Sequence, residues 1–246
     1  MFKVILVASG KGGTGKTSLT ANVGCALAER GHHVLVVDAD SGLRNLDIVL
    51  GLSDSIVFSF ADVAQGVVSL RHAAAQHPAF PTLSLLTAPA VLPPLTGEQI
   101  SGLVEQAREM EFDYVLIDGP AGLAPEIRLF AQVATQALVV TMSDQASVRG
   151  AERVARILEQ ENVVRIRMVV NRVRPALIRH GVMDNIDDTM DTVGLPLLGI
   201  VPEDESVIAC GSSGKSLLSA KRGGAATAFR NIAQRLDGIR LPIMRI

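Results

Sequence analysis

Short continuous apolar runs recur along the chain, and stretches with helical spacing lie between them. The runs fall at residues 2–8, 33–38, 83–87, 114–118, 137–141, 165–171 and 196–201, and are rich in Val, Ile and Leu. Their polar and apolar positions do not alternate, which is the pattern of strands covered on both faces. Residues 16–30, 97–109, 147–160, 182–193 and 225–236 read as helices. Gly31 follows the first of these as a C-terminal stop, because glycine tolerates the left-handed turn that ends a helix. Thr96 and Gln99 have the spacing of a capping box at the start of the second. Strand–helix alternation predicts an α/β fold: a mostly parallel twisted sheet of about seven to eight strands, with right-handed crossovers and helices on both faces.

No repeat and no linker-like stretch interrupts the alternation, and five prolines between His77 and Pro94 read as ordered loops around a strand. Residues 1–246 are therefore expected to form one domain, with a core to residue 237 and a short apolar, basic tail at 238–246. Gly238 and Pro242 argue against a helix in that tail.

Composition narrows the classes. A hydrophobic fraction of 48% and a charged fraction of 20% exclude disorder as the overall state. Aromatics at 3% leave the core to aliphatic residues and argue against base-stacking platforms. The net charge of −2 weighs against a duplex-DNA binder, so DNA is not expected as a partner. Cys25 and Cys210 are too few for a disulfide framework, and the histidines show no helical metal-ligand spacing. No apolar run reaches the ~18 residues of a membrane span, and the N-terminus lacks the features of a signal peptide. A cytoplasmic protein is the expectation.

Gly10-Lys11-Gly12-Gly13-Thr14-Gly15-Lys16-Thr17 matches G-x-x-x-x-G-K-[ST] between a strong strand and a helix, with Ser18 in the first turn. That context turns a glycine-rich run into a phosphate loop. The glycines let backbone N–H groups face phosphate oxygens, and the helix N-terminus adds its positive dipole end. Lys16 is expected to neutralise the β- and γ-phosphates, and the Thr17 hydroxyl to ligate Mg²⁺. Gly211-Ser212-Ser213-Gly214-Lys215-Ser216 repeats part of the motif, but no strand precedes it, and it reads as a polar loop.

Three carboxylates end buried strands: Asp38, with Asp40 two residues on, and Asp118. In open α/β sheets ligands bind beyond the carboxyl ends of the strands, so all three should face the phosphate loop. Asp118 is expected to hold Mg²⁺ through a water, Asp38 to support the metal or the loop, and Asp40 to orient an attacking water.

The second lysine of the loop, Lys11, gives K-G-G-x-G-K-[ST], and here the chain resembles the MinD/ParA family of deviant Walker A ATPases. Three further blocks carry the resemblance: Asp38-Ala39-Asp40-Ser41-Gly42-Leu43-Arg44-Asn45-Leu46-Asp47, Asp118-Gly119-Pro120-Ala121-Gly122 and Gly199-Ile200-Val201-Pro202-Glu203-Asp204. The Gly-Leu-Arg-Asn-Leu-Asp run favours the septum-positioning MinD branch over the ParA and FlhG branches. The resemblance implies an ATP-dependent homodimer in which Lys11 reaches the partner's nucleotide. It also implies adenine contacts from Asn171, Arg172 and the wall Pro202, Glu203 and Asp204. MinE-like activators and MinC-like effectors are implied partners, facing Ser147-Val148-Arg149 and the segment after Asp118. Members of the family bind membrane through a basic amphipathic helix at the C-terminus. Here Ile239, Leu241, Ile243, Met244 and Ile246 with Arg240 and Arg245 leave two readings: a tail that dips into an anionic interface, or one packed on the domain. A FlhG-like or ParA-like positioning ATPase and a nucleotide-gated adaptor with negligible hydrolysis remain the competing readings.

Overall fold

The computed structural model describes residues 2–42 and 44–244, so Met1, Leu43 of the Asp38–Asp47 block, and Arg245 and Ile246 of the tail lie outside the described residues. Eight strands form one sheet: β1 (Lys3–Ser9), β2 (Val34–Asp38), β3 (Ala75–His77), β4 (Phe80–Leu86), β5 (Tyr114–Ala121), β6 (Gln136–Thr141), β7 (Ile166–Val173) and β8 (Leu197–Pro202). Their order across the sheet is β3-β4-β2-β5-β1-β6-β7-β8. All neighbours are parallel except β3 and β4. The mostly parallel α/β fold expected from the sequence is the fold observed.

Strand alternation divides the core. Val4, Leu6 and Ala8 of β1 join one apolar cluster, and Ile5 and Val7 join the other. The helices Gly97–Glu109 and Gln145–Gln160 cover the first face, and Lys16–Glu29 and Ala225–Leu236 the second. Such continuous two-sided burial is why the strand sequences read as unbroken apolar runs. Gly31 takes the left-handed conformation after the first helix (φ 87°), and Thr96 and Gln99 form the reciprocal capping box.

The differences from expectation are local. The stretch 182–193 is helical only over Ile186–Val193, where Asn185 accepts from the Asp188 N–H at 2.8 Å and fixes the start; a separate turn of helix, Pro175–Arg179, precedes it. The expected strand 83–87 begins earlier, at Phe80, and pairs with β3; Pro78 in the turn and Pro81 within β4 hid the hairpin. β5 continues through Gly119 and Pro120 to Ala121. The Gly211–Ser216 stretch is the end of the helix Glu205–Ser212, a turn, and Ser216 capping Leu217–Ala220. The tail carries no helix through residue 244. Arg235 donates to the carbonyls of Leu241 (3.4 Å) and Pro242 (2.7 Å), and Met244 packs on the second cluster, so the described tail lies against the domain. Among the described residues no helix is long and apolar enough to cross a membrane.

Candidate functional site

Parallel strands carry their C-terminal ends to one edge, and the phosphate loop leaves β1 there. Residues 10–15 bend back before the helix Lys16–Glu29, with Gly13 and Gly15 at φ 80° and 90°. The loop lies tight against the helix Gln145–Gln160: a Cβ on Gly10 would sit 2.0 Å from the Gly150 carbonyl. No acidic residue occupies the first turn of the loop's own helix, so its N–H groups and dipole remain available to an anion.

A cavity of about 370 Å³ opens above this loop. Its lining includes Gly12, Gly13, Thr14, Gly15, Lys16, Thr17, Ser18, Asp40, Asn171, Arg172, Pro202, Glu203 and Asp204. The sequence-predicted phosphate, water-orienting and base-contacting residues therefore meet at one place. Gly10, Lys11, Asp38 and Asp118 are not among the lining residues, though Lys16 links the cavity to Asp118.

Strand register sets the two buried carboxylates side by side, with Asp38 opposite Asp118 in the β2–β5 pair. Lys16 Nζ meets Asp118 Oδ1 at 2.9 Å, with the two side chains 7% and 1% exposed. The Thr20 hydroxyl donates to the same oxygen at 3.2 Å. Asp118 Oδ2 is buried and has no partner among the described residues, and neither has the Thr14 hydroxyl. Asp38 accepts N–H bonds from Asp40 (3.0 Å) and Leu46 (3.1 Å). Burial, aided by the neighbouring Asp118 charge, nevertheless pushes its carboxyl up to about 6. Two adjacent buried carboxylates sharing one lysine are short of positive charge, and the orphaned Asp118 oxygen is where a hydrated cation would fit.

The far wall is held by ion pairs and caps. Asn171 Nδ2 donates to the Thr14 carbonyl at 2.7 Å, so the amide expected at the adenine edge also ties β7 to the phosphate loop. A Cβ on Gly15 would fall 2.1 Å from that nitrogen. Arg172, at φ 55°, pairs its guanidinium with both Glu203 oxygens at 2.9 and 3.0 Å. That hydrogen-bonded pair holds Glu203 below the ordinary carboxylate range. The Asp204 side chain accepts from the backbone N–H groups of Ser206 (2.9 Å) and Ala225 (3.3 Å), so its carboxylate fixes the wall by capping.

Lys11 Nζ lies 3.2 Å from Asp144 Oδ1, with side chains 44% and 30% exposed. Asp144 caps the helix Gln145–Gln160 by accepting from Ser147 N at 3.1 Å, and Ser147 Oγ donates to it at 2.6 Å. Burial raises the Asp144 carboxyl, but the Ser147 and Lys11 contacts outweigh it and hold it low. Sequence reasoning missed Asp144, Gly150, Thr20 and the apolar wall of Val207, Ile208 and Phe229. Only Gly150 left a signal, as a glycine inside an otherwise regular helical pattern.

A parallel sheet with this loop, its lysine and a carboxylate at the end of the neighbouring strand defines a P-loop nucleotide-binding protein. The family model for the CobQ/CobB/MinD/ParA nucleotide binding domain matches residues 5–219, and the chain belongs to that family. It is 39% identical over 247 aligned residues to the septum site-determining protein MinD of Synechocystis sp., covering 99% of this chain and 92% of that protein. Among solved structures it resembles the MinC:MinD cell division protein complex of Aquifex aeolicus, with 34% identity and a TM-score of 0.93 over 99% of this chain and 98% of that one. MinD of Pyrococcus horikoshii, solved with Mg-ADP, is 28% identical with a TM-score of 0.82, covering 96% of each chain.

Proposed function

We propose that this chain is a Mg²⁺-dependent ATPase of the MinD type, which dimerises on ATP and helps set where the division septum forms. The observation that carries the reading is the buried Lys16–Asp118 pair under a phosphate loop that holds a second lysine, Lys11. The names of the relatives supply the septum role, and the Aquifex complex supplies the kind of partner.

The loop amides of residues 12–17 and the helix N-terminus bind the phosphates. Lys16 exchanges Asp118 for phosphate oxygens, which frees Asp118 toward a cation. Thr17 would ligate Mg²⁺ directly, Asp118 would hold it through a water, and Asp38 stands beside them. A Mg²⁺ ion held there would supply charge that offsets the negative phosphates. Asp40, on the cavity wall, orients the attacking water. Asn171 keeps Nδ2 on the loop and offers Oδ1 to the adenine amino group, while Arg172, Pro202, Glu203 and Asp204 wall the base. Lys11 leaves Asp144 and crosses to the partner's phosphates. An exposed ion pair of this kind contributes ~1 kcal/mol or less, so a desolvated phosphate contact displaces it readily. A MinE-like activator and a MinC-like effector would meet the helix that begins beside Asp144. The exposed Ile239 and Ile243 (41% and 40%) would let a paired tail touch an anionic membrane surface.

Phosphate release from Mg-ATP and Mg-GTP tests this reading. ATP should be turned over slowly and in preference to GTP, with activity abolished by a chelator. Lys11→Ala should cut the rate at least ~100-fold, since charge supplied across an interface is worth that much or more in phosphoryl transfer. Unchanged turnover in Lys11→Ala would sink the mechanism, and tight nucleotide binding without turnover would make the protein an adaptor.

A further inference from the structure

At the opposite end of the sheet from the phosphate loop, a cleft of about 330 Å³ lies between the start of β7, the start of β8 and the tail. Among the described residues, three arginines line it, Arg167, Arg235 and Arg240, and no carboxylate does. Arg167 Nη2 donates to Gln136 Oε1 at 2.8 Å, but its Nε is buried and has no partner among the described residues. Arg235 donates only to carbonyls: Leu198 at 3.0 Å, Leu241 at 3.4 Å and Pro242 at 2.7 Å.

The surroundings add positive charge. Burial, and then the Arg165 charge, lower the Arg167 pKa; burial likewise lowers that of Lys3, with Arg167 and Arg165 adding to it against the opposing Asp237 and Asp113 charges. The carboxylate of Asp237 is committed elsewhere, to Tyr114, Arg30 and His32. Half-buried guanidinium groups without a counter-charge are costly to keep, and an anion would relieve that cost. Guanidinium forks match the paired oxygens of phosphate better than they match a spherical anion. The remaining walls, Leu197, Ile239, Leu241 and Ile243, are aliphatic.

We propose that this cleft binds a phosphate-type oxoanion, with Arg167, Arg235 and Arg240 as its donors. The aliphatic walls favour a phosphodiester with a short apolar arm over the free ion. The site is separate from the nucleotide cavity and stands whether or not the chain hydrolyses ATP.

The test follows the Arg167 Nε–H resonance by NMR in the full chain, assigned by its loss in Arg167→Gln. Inorganic phosphate and dihexanoyl-phosphatidylglycerol below its micelle concentration are titrated separately, with sodium chloride at matched ionic strength. Phosphate bound at the distant loop does not report on this group. A saturable shift is expected, with affinity lowered about tenfold or more in Arg240→Gln, the loss of one charge-assisted contact at an exposed position. Saturation by the lipid alone identifies a headgroup as the source; saturation by both identifies a general oxoanion site. A shift no larger than that of chloride, or an affinity unchanged in Arg240→Gln, overturns the proposal.

Discussion

Two lysines of the phosphate loop, Lys11 and Lys16, stand in opposite surroundings. Lys16 is buried against Asp118, whereas Lys11 is exposed against Asp144. Removing Lys16 strands a carboxylate that is 1% exposed, so Lys16→Ala should destabilise the nucleotide-free fold by about 3–5 kcal/mol. Lys11→Ala should change it by less than ~1 kcal/mol. Denaturant titration without nucleotide separates the two, and equal losses would contradict the assignment. Gly150 is a second residue-scale test. A Cβ there would approach the Gly10 backbone to 2.9 Å, and the loop would have to move. Gly150→Ala should weaken nucleotide binding by about 1–3 kcal/mol, measured calorimetrically, with the helix retained by circular dichroism. The motif residues were legible in the sequence because phosphate chemistry fixes their type and spacing. Asp144 and Thr20 were not, because their roles arise from contacts 133 and 98 positions away along the chain.

At the scale of elements, the end of the helix Ala225–Leu236 is clamped by one carboxylate. Asp237 accepts from the Tyr114 hydroxyl at 2.5 Å and from Arg30 Nε at 2.6 Å, with His32 Nε2 at 3.0 Å. Burial raises its pKa, but these bonds outweigh that and leave it lowered. A carboxylate depressed in the folded state adds stability above its unfolded pKa of about 4, and that stability is lost as pH falls through the folded value. Asp237→Ala should therefore cost about 1–3 kcal/mol at pH 7, and the gap to wild type should close in acid. Thermal melts of both proteins on lowering the pH from 7 through the carboxylate range read this directly; a gap that does not narrow at all as the pH falls below about 4 would contradict it. Elements with long apolar periodicity were readable in advance, whereas the hairpin β3–β4 and the break before Ile186 were not. Prolines masked the first, and a single capping Asn185 decided the second.

For the whole molecule, sheet order does most of the functional work. Placing β1 between β5 and β6 sets the loop beside Asp118, and placing β2 on β5 brings Asp38 next to it. Strand–helix alternation predicted the sheet but not this order, which depends on crossovers that the apolar pattern does not encode. The same topology puts the phosphate-loop cavity at one end of the sheet and the arginine cleft and tail at the other. In the proposed cycle ATP joins two copies of this chain through Lys11. Asp40→Ala should bind Mg-ATP without turning it over. Sedimentation velocity on that variant is therefore the most direct measurement. In Mg-ATP the mass should be twice 26.0 kDa, in Mg-ADP it should be 26.0 kDa, and adding Lys11→Ala should return the ATP sample toward the monomer. A 26.0 kDa species with ATP demonstrably bound, or a dimer indifferent to Lys11, would contradict the account.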